Sequence, residues 1–118
     1  METILITDDD RACRDTIQKT LERAGYCVEG AETVDEALNV IYERPVDLIV
    51  CDYRMPGKTG LDLLAALNEQ GSRIPVLMVS AHADSGTEAE AHRLGVAGLL
   101  RKPFRRRDLI ESVARAIH

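Results

Sequence analysis

Residues 47–57 read Asp-Leu-Ile-Val-Cys-Asp-Tyr-Arg-Met-Pro-Gly: an apolar run, an aspartate, then a proline–glycine turn. The run is nearly continuous rather than alternating. A strand reads this way when helices cover both of its faces, the situation of a central strand in a parallel sheet. Val76-Leu-Met-Val79 has the same character. Working outward, the pattern predicts strands at Thr3–Thr7, Tyr26–Glu29, Val46–Cys51, Pro75–Val79 and Val96–Leu100, with amphipathic stretches between them. Such alternation is the signature of βα units.

The helical stretches carry their own punctuation. The first runs from about Asp10 to Ala24, with Ile17, Leu21 and Ala24 on one face and Gly25 as a stop. The second opens on the capping box Thr33-Val-Asp-Glu36, turns Ala37, Leu38 and Ile41 inward, and stops at Pro45. A third follows Gly60 with Leu61, Leu64, Ala65 and Leu67, ending at Gly71. The fourth, about Ser85–Leu94, has only a thin apolar face, and the last, Arg106–Ile117, presents Leu109, Ile110, Val113 and Ile117. Five βα repeats predict an α/β, doubly wound sandwich, one domain over residues 1–118.

Composition agrees with a small globular chain: 118 residues, 45% hydrophobic and 30% charged. No apolar run approaches the roughly 20 residues a membrane span needs, and the start carries no basic, then apolar, leader. The formal net charge of −5 disfavours direct nucleic-acid binding. Cys13, Cys27 and Cys51 form no CxxC pair and read as small buried hydrophobes in a reducing compartment, so the expected location is cytoplasmic.

In an open parallel sheet, ligands bind beyond the carboxyl ends of the strands where strand order reverses. After the first strand come Asp8, Asp9 and Asp10; after the third, Asp52; after the fourth, Ser80; after the fifth, Lys102. A 2-1-3-4-5 order would gather these into one crevice. Clustered carboxylates repel one another and suit a hard divalent ion, Mg²⁺ or Mn²⁺. A carboxylate nucleophile beside such an ion, an ammonium and a hydroxyl is a parts list for phosphoryl transfer.

Four segments together carry a family resemblance: Ile4-Leu-Ile-Thr-Asp-Asp-Asp10, Asp47 to Gly57, Val76-Leu-Met-Val-Ser-Ala81 and Arg101-Lys-Pro-Phe104. In this order, over essentially the whole chain, they resemble the receiver domain of two-component response regulators, including the chemotaxis regulators. The resemblance implies a flavodoxin-like, five-stranded parallel sheet of order 2-1-3-4-5 with five helices on its two faces. It implies phosphorylation of Asp52 by a histidine kinase or phosphotransfer protein, in a signalling domain that assists only its own phosphorylation and dephosphorylation. Asp9 would ligate Mg²⁺ directly, Asp8 through water, with Asp52 and the Arg54 backbone carbonyl completing the set. Ser80, the Ala81 backbone and Lys102 would hold the phosphoryl group. Lys102–Pro103 would be a cis peptide, and Pro56-Gly57 would turn the loop beneath the metal.

Three further expectations concern control. Arg54 and His82, two residues beyond the acceptor and the hydroxyl, would tune dephosphorylation. Leu99 stands where many receivers place an aromatic ring, so transmission by ring rotation is not open to this chain. Arg105-Arg-Arg107, with Arg93 and Arg101, suggests a basic docking patch around helices four and five, facing an output domain, a partner or a second copy through Asp84, Glu88 and Glu90. The competing readings are a metal-dependent phosphatase with Asp8 as nucleophile, a flavodoxin-like electron carrier, and a docking module that needs no phosphorylation. With 3% aromatics and three aspartates after the first strand, the chain offers little to a flavin.

Overall fold

The computed structural model describes residues 1–55, 57–81 and 85–118. Strands β1 (Thr3–Thr7), β2 (Cys27–Ala31), β3 (Leu48–Asp52), β4 (Val76–Ser80) and β5 (Gly98–Arg101) alternate with helices α1 (Arg11–Arg23), α2 (Val34–Glu43), α3 (Gly60–Glu69), α4 (Ser85–Arg93) and α5 (Arg106–Ile117). All strand pairs are parallel, in the order β2-β1-β3-β4-β5. The doubly wound, flavodoxin-like architecture expected from the sequence is the one observed.

Strand alternation sorts the core into two halves. Ile4, Ile6, Leu48, Val50, Leu77 and Val79 pack with Ile17 and Leu21 of α1 and Leu109 and Val113 of α5. Leu5, Ile49, Cys51, Val76 and Met78 pack on the other face with α2, α3 and α4. The central strands are buried on both faces, which is why their sequences lack a polar alternation.

Several boundaries move, and the shifts matter at the site. The third strand begins at Leu48, not Val46, and includes Asp52; the fourth ends on Ser80. The backbones of both candidate residues, Asp52 and Ser80, are therefore paired within the sheet instead of following the strand in a loop. The fifth starts at Gly98 rather than Val96, and the second runs Cys27–Ala31 rather than Tyr26–Glu29, because pairing with β1 extends to Thr7↔Ala31. Ala24 is exposed beyond the last turn of α1, and α3 buries Leu63, Leu64 and Leu67 while Leu61 and Ala65 are half-buried. Cys51 is buried, Cys13 is half-buried and Cys27 is exposed on the edge strand, so the uniform reading of the cysteines fails there. No helix among the described residues is long and apolar enough to cross a membrane.

Candidate functional site

The carboxyl ends of β1, β3, β4 and β5 converge on a crevice of about 420 Å³ lined by Asp9, Asp10, Asp52, Arg54, Met55, Ser80, Ala81 and Lys102. Asp8 lies beneath it, 2% exposed, and Asp52 opens onto it with its side chain 13% exposed. Carboxylate oxygens of Asp8, Asp9 and Asp52 all lie within 4.8 Å of one another. The one nearby ammonium is Lys102, whose Nζ sits 3.0 Å from Asp52 Oδ2 and 3.8 Å from Asp8 Oδ2.

Each member is fixed by its element. Asp8 is held at both ends of its peptide and at its side chain: its N–H donates to the Ala31 carbonyl, and its Oδ1 accepts from the Asp10 N–H at 2.9 Å. Asp10 accepts at Oδ1 from the Ala12 and Cys13 N–H groups, so it caps α1. Asp52 accepts the Arg54 N–H at 3.4 Å. Close behind it lies Gly60, where a Cβ would stand 2.9 Å from the Asp52 carbonyl oxygen, so the start of α3 approaches β3 only without a side chain. Lys102 continues β5, its N–H donating to the Ser80 carbonyl, and the Lys102–Pro103 peptide is cis.

The electrostatics follow from burial and from crowding of like charge. Burial raises the Asp8 carboxyl above its ordinary value; the Asp10 N–H and Cys13 oppose the shift, and the Asp52 charge adds to it. Cys13 is pushed up to about 11, by burial first and by its hydrogen bond to Asp8 second. For Lys102, burial works against the charged form, but the Asp52 hydrogen bond and charge outweigh it and raise the value. Cys51, fully enclosed, is raised by burial and is inert packing.

The predicted residues Asp8, Asp9, Asp52, Arg54, Ser80, Ala81 and Lys102 thus share one site, while His82, Pro56 and Asp84 lie outside the described residues. Leu99 is half-buried and packs against the core half that includes Ala91 of α4. The expected basic patch is reduced, because Arg93 pairs with Glu90 and Arg101 pairs with Glu88 at 2.7 Å. Those glutamates are engaged within the chain, and Arg105, Arg106 and Arg107 remain exposed. Reading the sequence also missed the Thr59–Asp62 capping box of α3, although Thr-Gly-Leu-Asp has the required spacing, and it missed Arg14, whose role appears only in three dimensions.

Residues 4–114 match the family described as response regulator receiver domain. The chain is 34% identical over 112 residues to the response regulator protein FleR of Pseudomonas aeruginosa, covering 95% of this chain and 24% of FleR. With the phosphate regulon transcriptional regulatory protein PhoB of the same organism it shares 37% over 112 residues, 92% of this chain and 48% of PhoB. Among solved structures, the chemotaxis protein CheY4 of Vibrio cholerae superposes with a TM-score of 0.93 at 31% identity, covering 98% of each chain. The chain therefore spans about a quarter to a half of the length of these curated relatives.

Proposed function

This chain belongs to the response-regulator receiver family, a family of signalling domains, and on that premise we propose that Asp52 is its phosphoacceptor. The observation that carries the reading is the ammonium of Lys102, 3.0 Å from Asp52 and 3.8 Å from Asp8, in a crevice open to a donor. A phosphatase using Asp8 as nucleophile fits less well: that carboxylate is 2% exposed and one of its oxygens already accepts the Asp10 N–H.

The donor is a phosphohistidine of a histidine kinase or phosphotransfer protein. An Asp52 oxygen attacks phosphorus in line, the new P–O bond forms as the P–N bond breaks, and the imidazole leaves with the electron pair. Lys102, which now balances the Asp52 carboxylate, becomes the counter-charge of the phosphoryl oxygens. Ser80 and the Ala81 N–H line the same crevice and donate to those oxygens. Receiver domains bind Mg²⁺, and the donor set fits: three carboxylates face a single ammonium, a surplus of negative charge on hard oxygen ligands. Asp8, Asp9, Asp52 and the Arg54 carbonyl would hold Mg²⁺ or Mn²⁺, which when bound neutralises the carboxylates and polarises the phosphoryl oxygens.

Water attack on the acyl phosphate resets the domain, with Arg54 and His82 tuning its access. The acyl phosphate shifts a pre-existing conformational equilibrium read by an output domain, a partner or a second copy through α4 and α5. The receiver occupies residues 1–118 and works in the cytoplasm. Incubation with a small phosphodonor and Mg²⁺ followed by intact-mass measurement tests the assignment: one phosphoryl group is gained by the native chain and none by Asp52→Asn. Labelling that survives Asp52→Asn and disappears in Asp8→Asn would reverse it.

A further inference from the structure

The Asp8 carbonyl is buried at the floor of the site, where α1 begins too late to offer it an N–H. Its partner is a side chain six residues on: Arg14 donates from Nη1 to the Asp8 carbonyl oxygen at 2.7 Å, and its Nη2 lies 3.4 Å from Glu32 Oε1. Arg14 is itself 13% exposed, and its stem lies over Gly30, where an added Cβ would come within 3.3 Å of Arg14 Cδ. Glu32 is tied to the start of α2, its N–H donating to Glu36 Oε2 at 2.6 Å. A chain of contacts thus runs from α2 through the guanidinium to the backbone of the first aspartate.

We propose that Arg14 is a positioning residue for the acidic pair, fixing the Asp8 peptide so that the Asp8 and Asp9 carboxylates stand ready for the cation. The proposal rests on the reading of Asp8, Asp9 and Asp52 as the cation-holding set. The decisive contact is the backbone one. Glu32 is 62% exposed, and an ion pair at such a site contributes little, whereas a buried carbonyl stripped of its donor must shift or hydrate. The planar fork suits the task because it reaches the carbonyl and the carboxylate together, which an ammonium on a shorter, unforked head does less well. Gly30 is permissive: it leaves the slot through which the stem passes.

The test is calorimetric titration of the full chain with Mg²⁺, alongside thermal unfolding and labelling by a small phosphodonor. Loss of outer-shell support for metal ligands typically weakens binding about 10- to 100-fold, and Arg14→Met is expected in that range. Arg14→Lys should recover part of the loss, and Glu32→Gln should change affinity little. In Arg14→Met the Mg²⁺ concentration for half-maximal labelling should rise by the same factor as the dissociation constant, with the plateau rate retained. A lowered melting temperature with unchanged Mg²⁺ affinity would reduce Arg14 to a packing residue and overturn the proposal. Should Arg14→Met not fold, Arg14→Lys decides, since native-like affinity there would equally refute a requirement for the fork. If the native chain binds Mg²⁺ but takes no label, the phosphoacceptor reading fails while the clamp stands. If the native chain is labelled and both Arg14 variants bind Mg²⁺ normally, the clamp alone fails.

Discussion

At the scale of single residues, the site shows where function opposes stability. Burial raises the Asp8 carboxyl above its ordinary value. A raised acid binds its proton more tightly folded than unfolded, so its charge costs stability above the folded value, and the cost is relieved as pH falls through it. Asp8→Asn should therefore raise the melting temperature of the metal-free protein, by roughly 4 °C if the gain is about 1 kcal/mol, while abolishing Mg²⁺ binding; calorimetry reads both. Thr7, the residue before it, carries a fully buried hydroxyl without a hydrogen-bond partner among the described residues. Thr7→Val keeps the shape and removes the stranded donor, so it should stabilise by about 1 kcal/mol in urea unfolding. Gly60→Ala runs the other way. Alanine gains up to about 1 kcal/mol of helix propensity, but a Cβ at 2.9 Å from the Asp52 carbonyl and 3.1 Å from Met78 Cε costs about 1–3 kcal/mol of overpacking. Overpacking wins, with net destabilisation in urea and slower labelling at Asp52 expected.

At the scale of elements, the helices differ in how firmly they are held. α1, α3 and α5 each bury two or more side chains, and Asp10 and Thr59 cap α1 and α3. In α4 the one side chain buried among the described residues is Ala91, and its ties to the neighbouring strand include the exposed Glu88–Arg101 pair. Such an element opens at a lower free energy than the sheet. Amide hydrogen exchange should show α4 exchanging faster than β4, whose five residues are all buried; equal protection would mean that α4 is not the mobile element. Leu99 packs against the same core cluster as Ala91 of α4, and Arg101 of β5 pairs with Glu88 of α4.

At the scale of the whole molecule, the acidic cluster couples ligand binding to folding. A cation that binds only the native state adds about 2.7 kcal/mol at a hundredfold excess over its dissociation constant, so Mg²⁺ should raise the melting temperature. The gain should shrink as pH falls through the raised Asp8 value, because protonation removes a ligand; scanning calorimetry at a series of pH values measures it. Sequence alone determined the five βα repeats, because apolar runs, caps and glycine stops act over a few residues: the Thr33 cap, whose hydroxyl accepts the Glu36 N–H although Glu36 turns back to the Glu32 N–H and not to that of Thr33, and the unbroken Leu48–Cys51 run needed no distant partner to be understood. The candidate residues were legible as residue types following strands, and family resemblance supplied their order around the crevice. What tertiary structure alone decided is contact between segments far apart in the chain. Lys102 meets Asp52 across 50 positions, Arg14 reaches Glu32 across 18 while donating to the Asp8 carbonyl, and Arg101 of β5 pairs with Glu88 of α4. Side-chain reach and burial decide such pairings, and neither exists until the strands are laid side by side.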